Sequence, residues 1–283
     1  MIKVLLHGRM GNQLFQYAFG YLMAKRHKTF FLIEIQKNKF YLDCFRLTFP
    51  HNLFSNKKLL RLYGWVVRKI NLKNHQEFLD LKTKLVLPQE VAQTSFNGYF
   101  QDADLVESEK KSLQKIFTIK KTFQKVFQEK YGSLFNQKKT LVISMRLGQD
   151  YKDFTLPDLN NAKVFLPNEW YTSILSEIEN QYDVVVVISD EIEEAKTILG
   201  EKTNYIFINE PPETQFQMMM NADGCIIGNS SYSWWGGFLN PKKDKKIYAP
   251  NNWAGYNANQ EYPVGIMTKE FIWVQESLEN QKI

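Results

Sequence analysis

The carboxyl half of the chain alternates two kinds of hydrophobic pattern. TLVISMR (140–146), DVVVVIS (183–189), NYIFIN (204–209), CIIGN (225–229) and KIYAPNN (246–252) are short apolar runs, rich in β-branched residues and bounded by polar, Gly or Pro positions. Strands buried on both faces have this form. Between them lie segments with helical spacing: NEWYTSILSEIEN (168–180) after Pro167, EIEEAKTILG (191–200) closed by Gly200, ETQFQMMMNA (213–222) after Pro211 and Pro212, and SYSWWGGFLN (231–240). This alternation predicts a parallel sheet, because parallel neighbours need a crossover and a helix is the usual one.

The amino half opens in the same way. KVLLH (3–7) runs into the turn GRMGN (8–12), a helix follows from about Leu14 to His27, and TFFLIEI (29–35) reads as a second strand. Beyond it, 55–85 reads as helical and basic, SFNGYFQ (95–101) as a strand, and 104–130 as a Lys-rich amphipathic helical stretch. Polar GSLFNQKK (132–139) is the expected linker. The pattern predicts an α/β protein of two Rossmann-like lobes, 1–138 and 139–283, with a ligand cleft between them at the carboxyl ends of the strands.

Composition adds one asymmetry. Net charge is +6, but residues 1–140 carry 25 Lys/Arg against 10 Asp/Glu, whereas 141–283 carry 11 against 20. Such a split suits a basic arm for nucleic acid, two lobes that attract one another, or one lobe facing an anionic surface. Leu53–Lys73 concentrates the basic side, with Lys57, Lys58, Arg61, Arg68, Lys69 and Lys73 among Leu, Trp and Val. It reads either as a helix packed on its own sheet or as a peripheral contact with anionic membrane. No apolar run approaches the roughly 18 residues of a membrane span. Cys44 and Cys225 have neither disulfide-framework nor zinc spacing, and the opening residues do not resemble a signal peptide. The expected location is cytoplasmic, with possible attachment at the inner membrane.

Candidate chemistry follows the strands. Gly8-Arg9-Met10-Gly11-Asn12-Gln13 lets the backbone approach a ligand and offers helix-start amides, although a βα turn that merely needs glycine fits as well. Arg146 leaves the end of a strand with a planar fork suited to a pyrophosphate, and Asp150 follows four residues later, able to orient it or take a proton. Asp190 and Glu191, after DVVVVIS, suit either ribose or base recognition or the capping of the next helix. Asn229, Ser230, Ser231 and Ser233 open a helix as a neutral anion cradle, with Trp234 and Trp235 as core or site residues. His7 is a cleft or core histidine. The absence of GxxxxGK[ST], GxSxG, HExxH and a convincing DxD argues against P-loop, ordinary α/β-hydrolase and metal chemistry.

These segments resemble a known family. GRMGNQLFQYAFGY (8–21) resembles the opening motif of the bacterial α1,2-fucosyltransferases, glycosyltransferase family 11, and its GRxGNQ resembles that of the protein O-fucosyltransferases. YLDCF (41–45), NGYFQ (97–101), SDEIEEAK (189–196) and GNSSYSWWGGFLN (228–240) are similar to further family motifs, in order. One motif departs: where the family reads HxRRGDY, Ser144 replaces the histidine, Leu147 the second arginine, and Asp150 falls one residue late, closer to the RxGxDxK of the O-fucosyltransferases.

The resemblance implies a GT-B-like enzyme of bacterial surface glycan synthesis. It would transfer L-fucose with inversion from GDP-β-L-fucose, without metal or further cofactor, to a glycan acceptor ending in galactose, at O2. It implies an acceptor-side first lobe and a GDP-fucose-binding second lobe. Arg146, Ser230, Ser231 and the amides after Asn229 would hold the diphosphate, and Asp190 or Glu191 would read guanine. Asn12 with the Gly11 backbone would reach the sugar-phosphate, and Asp150, ahead of Asp43 and Asp102, would be the base. A silent sugar-nucleotide or glycan binder is the alternative; a nucleic-acid partner is not expected, because no reader motif accompanies the basic half.

Overall fold

The computed structural model describes residues 1–36, 39–276 and 278. The chain forms two compact units, Met1–Lys120 with Pro263–Ile266, and Lys121–Tyr262 with the chain from Met267 onward. The first contains β1 (Ile2–Leu6), α1 (Met10–Arg26), β2 (Phe31–Ile35), α2 (Lys57–Arg68), β3 (Asn74–Phe78), β4 (Thr94–Gly98), α3 (Ala103–Glu107) and α4 (Lys110–Ile116). Its strands make a parallel sheet in the order β2-β1-β4-β3.

The second unit begins with α5 (Lys121–Gln137), β5 (Thr140–Met145), α6 (Gln149–Lys152), and the short antiparallel pair β6 (Thr155–Leu156) and β7 (Ala162–Lys163). There follow α7 (Asn168–Ile178), β8 (Val184–Ser189), α8 (Ile192–Leu199), β9 (Tyr205–Ile208), α9 (Pro212–Asn221), β10 (Gly224–Ile227), α10 (Ser231–Leu239), β11 (Lys246–Pro250) and β12 (Ile272–Val274). The main sheet is parallel, in the order β12-β11-β10-β5-β8-β9. Counted from β9, its strands run third, second, first, fourth, fifth, sixth in chain order, the arrangement of dinucleotide-binding sheets. The direction of winding reverses between β5 and β10.

Burial explains why the strands of this unit were easy to read. All six residues of β5 are buried, and Leu141, Val142 and Ile143 are fully enclosed, each such aliphatic side chain contributing about 1.5–3 kcal/mol. Trp170, Tyr171, Ile174, Leu175 and Ile178 of α7 pack against the same core. Trp234 and Trp235 are both fully buried and meet edge to face, so the tryptophan pair after the serines is core.

Three expectations change. The helical reading of 55–85 holds only to Arg68; β3 follows, an edge strand (NHQEF) with no fully buried residue and so no apolar alternation to betray it. The stretch 104–130 is not one helix but α3, α4 and the start of α5. The last break occurs where Ile119 bridges Phe45 and the Arg46 amide donates to the Thr118 carbonyl at 2.9 Å. The linker expected at 132–139 is mostly the end of α5, where Phe127 and Phe135, eight residues apart on one helix face, are buried. The polar run 136–139 that follows masks Phe135 in the sequence. The two units accordingly part at residue 120.

Candidate functional site

Sheet order brings three of the motifs together. Ser144 pairs with Ile227 across β5 and β10, and Met145 pairs with Ser189 across β5 and β8. Arg146 therefore leaves the sheet with the 228–231 loop on one side and Asp190 on the other, at the reversal of winding. That is where open α/β sheets leave a crevice for ligands.

Carboxylates hold the Arg146 guanidinium from two directions. Nη2 donates to both oxygens of Asp150, at 2.7 and 3.0 Å, and Nη1 is paired with Asp190. Asp190 also accepts from the backbone amides of Leu147 (2.8 Å) and Gly148 (3.1 Å), so one carboxylate shapes the loop and aims its arginine. Asp150 differs: its side chain is 59% exposed against 27% for Asp190. Water reaches most of the Asp150 carboxylate, so an anion can displace it from Arg146 more readily than it can displace Asp190, which two backbone amides also hold. Glu191 is exposed, and its amide donates to Ser189 Oγ at 3.0 Å.

Gly148 admits this crowding. A Cβ there would lie 2.6 Å from Asp190 Oδ2 and 2.8 Å from Asp150 Oδ1. Two tyrosines complete the frame. The Tyr151 hydroxyl donates to Asn229, with its backbone and side-chain oxygens both at 2.7 Å, and the Arg146 backbone amide hydrogen-bonds the Tyr171 hydroxyl. Burial raises both phenol pKa values, keeping the hydroxyls neutral. Sequence reasoning gave Gly148, Tyr151 and Tyr171 no role. A glycine two residues beyond a strand-end arginine is a usable signal for the first, but nothing local marks Tyr171, which sits on α7.

On the other side, the Gly228 amide donates to the Ser144 carbonyl at 2.9 Å. Asn229 is buried, and its Nδ2 donates to the Val164 carbonyl at 2.8 Å, so its polar atoms hold the loop. Ser230 has N-cap backbone geometry, but its hydroxyl makes no capping bond. Ser230 and Ser231 are half-buried, whereas Ser233 turns inward to Ser144 Oγ at 2.7 Å. The cradle expected from three hydroxyls thus has two, at the positive end of a nine-residue helix.

In the first unit, the left-handed turn falls on Gly8 (φ +73°), and Gly11 is buried in the first turn of α1. Asn12 Oδ1 accepts from Gln101 Nε2 at 3.1 Å. Gln13 donates to the Lys39 carbonyl (2.7 Å) and accepts from the Tyr41 amide (3.0 Å); Gln16 accepts from the His7 amide (3.0 Å) and donates to the Gly98 carbonyl (3.2 Å). Asp102 caps α3 through the Leu105 amide at 2.8 Å, and burial raises its pKa. Asp43 is exposed. The His7 ring packs edge-on to Tyr99 with Nε2 buried and unpartnered, and burial lowers its pKa. Among the described residues, no group of three or more His, Cys, Asp or Glu side chains is placed to hold a metal ion.

Comparisons with known proteins cover most of the chain. A solved structure of POFUT1 in complex with GDP-fucose superposes with a TM-score of 0.50 at 10% identity, covering 87% of this chain and 96% of that one, a likeness of fold. The O-antigen biosynthesis glycosyltransferase WbnK of Escherichia coli is 25% identical over 90% of this chain and 96% of its own length. An Escherichia coli alpha-1,2-colitosyltransferase is 24% identical over 88% and 90%. The Glycosyl transferase family 11 profile matches residues 1–266, and the chain belongs to that family.

Proposed function

We propose that the protein is an inverting fucosyltransferase that moves L-fucose from GDP-β-L-fucose to O2 of a terminal galactose on a glycan acceptor. One observation carries this reading: Arg146 and the start of α10 stand side by side where the winding of a dinucleotide-type sheet reverses. A guanidinium beside helix-start amides suits a diphosphate, and the same donors stabilise the charge that gathers on it as it leaves. Family membership and the names of the relatives, an O-antigen biosynthesis glycosyltransferase and an alpha-1,2-colitosyltransferase, point the same way.

In the proposed reaction the acceptor hydroxyl attacks the anomeric carbon from the face opposite GDP. The C–O bond to the β-phosphate breaks as the new bond forms, and GDP departs with the bonding pair. Arg146, released from Asp150 by the incoming diphosphate, neutralises the leaving group in the role a metal ion fills elsewhere. Asp190 aims Arg146, and Asn229 holds the loop that presents Ser230, Ser231 and the α10 amides. Glu191 faces the base. Asp150, displaced from its arginine, takes the acceptor proton. Asn12 and the Gly11 backbone supply sugar-phosphate contacts from the acceptor-side unit of a GT-B-like enzyme.

The test is incubation with GDP-fucose and a panel of β-galactosides, followed by NMR of the product. An α1,2-fucosyl linkage supports the proposal. A different linkage removes the acceptor assignment, and, in a parallel incubation with a colitosyl donor, transfer of a colitosyl but not a fucosyl group removes the donor. Tight donor binding without product returns the chain to the silent-binder alternative.

A further inference from the structure

Helix α2 has two apolar stripes, and only one is used. Leu60, Tyr63, Gly64 and Val67, at spacings of three and four, form the inner face; Gly64 and Val67 are buried, and Tyr63 reaches the Ile33 amide of β2 at 2.9 Å. This is the helix packed on its own sheet that the sequence allowed. Turned away from that face are Leu59, Leu62, Trp65 and Val66, which are 41–59% exposed. Phe49 and Leu53, in the segment entering the helix, are exposed as well. Six of the eleven large hydrophobic side chains exposed among the described residues thus fall within 18 positions. Scattered apolar exposure needs no explanation, but a concentration of this kind marks an interaction surface.

The charge around the stripe narrows the choice of partner. From Cys44 to Gln76 the sequence has no Asp or Glu, and it carries Arg46, Lys57, Lys58, Arg61, Arg68, Lys69 and Lys73. On a helical projection Lys58 and Lys69 lie among the exposed apolar residues, Arg61 borders them, and Lys57 stands beyond Arg61 in the first turn. The Lys69 ammonium sits over the Trp65 ring, 3.9 Å from its centroid, joining an aromatic and a cation as interfacial helices do. A second copy docked about a two-fold axis would bring like-charged rims together. A nucleic-acid backbone would make no use of the leucines. Among the described residues no helix is long and apolar enough to cross a membrane, so the contact required is with a membrane surface.

We infer that α2 is a membrane-surface helix: Leu59, Leu62, Trp65 and Val66 enter the headgroup region of an anionic phospholipid bilayer while Lys57, Lys58, Arg61 and Lys69 meet the lipid phosphates. The inference does not depend on the donor or acceptor proposed above. Its test is flotation of the full chain with vesicles of phosphatidylethanolamine and phosphatidylglycerol, and with neutral phosphatidylcholine vesicles, in about 50 mM salt. The protein is expected to float with the anionic vesicles only, and to be released in about 500 mM salt, where screening shortens the reach of the charges to about 4 Å.

Leu62→Gln with Trp65→Gln should weaken vesicle binding about tenfold or more. Lys58→Gln with Arg61→Gln should weaken it about 25-fold, fivefold per charge. All four residues are exposed, so both variants should fold, and transfer to a water-soluble acceptor should be unchanged. Trp65 also reports directly. Brominated lipid should quench wild-type fluorescence and spare that of Trp65→Phe, since the other five tryptophans are buried or half-buried. Absence of wild-type flotation at low salt overturns the inference, as does a Leu62/Trp65 variant that floats like wild type. A dimer in sedimentation that the same variant dissolves gives the stripe to a second copy instead.

Discussion

The turn after β1 and the loop after β5 share one plan, a strand entering a helix through glycine, and are held by opposite means. After β1 the fasteners are neutral amides: Gln13 ties the turn to Lys39 and Tyr41, Gln16 ties it to β4, and Asn12 meets Gln101. After β5 they are charges, with Arg146 between Asp150 and Asp190. A buried amide lattice is satisfied wholly by the protein and fixes shape. An exposed ion pair leaves a charge that a ligand can claim. Altering the buried Gln13 or Gln16 should therefore cost stability, and altering Arg146 or Asp150 should cost turnover.

The sharpest break is at Asp150. Asp150→Asn should lower kcat by about 10²–10⁴, the range for loss of a general base, while the urea midpoint reports a stability change below about 0.5 kcal/mol. Arg146→Ala should cost about 10²–10³ in kcat, roughly 2.7–4 kcal/mol, and Arg146→Lys should recover little, because a point charge does not replace the fork. Turnover within threefold of wild type would remove Arg146 from the mechanism.

Gln16→Ala tests the other side. It orphans the His7 amide and the Gly98 carbonyl and should cost about 2–4 kcal/mol in urea unfolding, with kcat per folded molecule retained. Gly148→Ala should act on the charged loop alone: its Cβ would crowd Asp190 and Asp150, and kcat should fall about tenfold, or roughly 1.4 kcal/mol, at nearly unchanged stability.

The smallest effect per step is in pH. His51 lies between the Tyr17 and Tyr63 hydroxyls, at 3.0 and 3.1 Å, and burial lowers its pKa to about 3. The unfolded chain takes up this proton near pH 6.5 and the folded chain does not. Its contribution is therefore complete above about pH 6.5 and is lost as pH falls towards about 3, by up to about 1.4 kcal/mol per pH unit. Urea titrations at successive pH values check it; a flat profile between pH 7 and 5 would show that the folded unit accepts a charge there.

Legibility in the sequence tracked burial. VVVVIS and TLVISM announce their strands because both faces are buried, so apolar residues follow one another without alternation. Strand β3 was hidden because NHQEF lies at a sheet edge with no fully buried residue. The position of Arg146, Ser230 and Ser231 just beyond a strand is legible because a polar residue ending an apolar run stands at a strand end wherever the strand lies in its sheet. Asp190's hold on the loop is not, since a carboxylate before a helix reads equally as a cap or a ligand contact.

By itself, then, the sequence determined the alternation of strands and helices, the positions where polar groups leave the strands, and the two apolar stripes and basic rim of α2, all properties of short segments. Which strands stand side by side was decided by tertiary structure. So were the twofold grip on Arg146, the inward turn of Ser233 and the exposure of one stripe of α2 and burial of the other. Most of these depend on a partner 20 or more residues away in the sequence, whereas the exposure of the stripe depends on the absence of one. Periodicity reports that a face is apolar; only packing decides whether anything in the fold covers it.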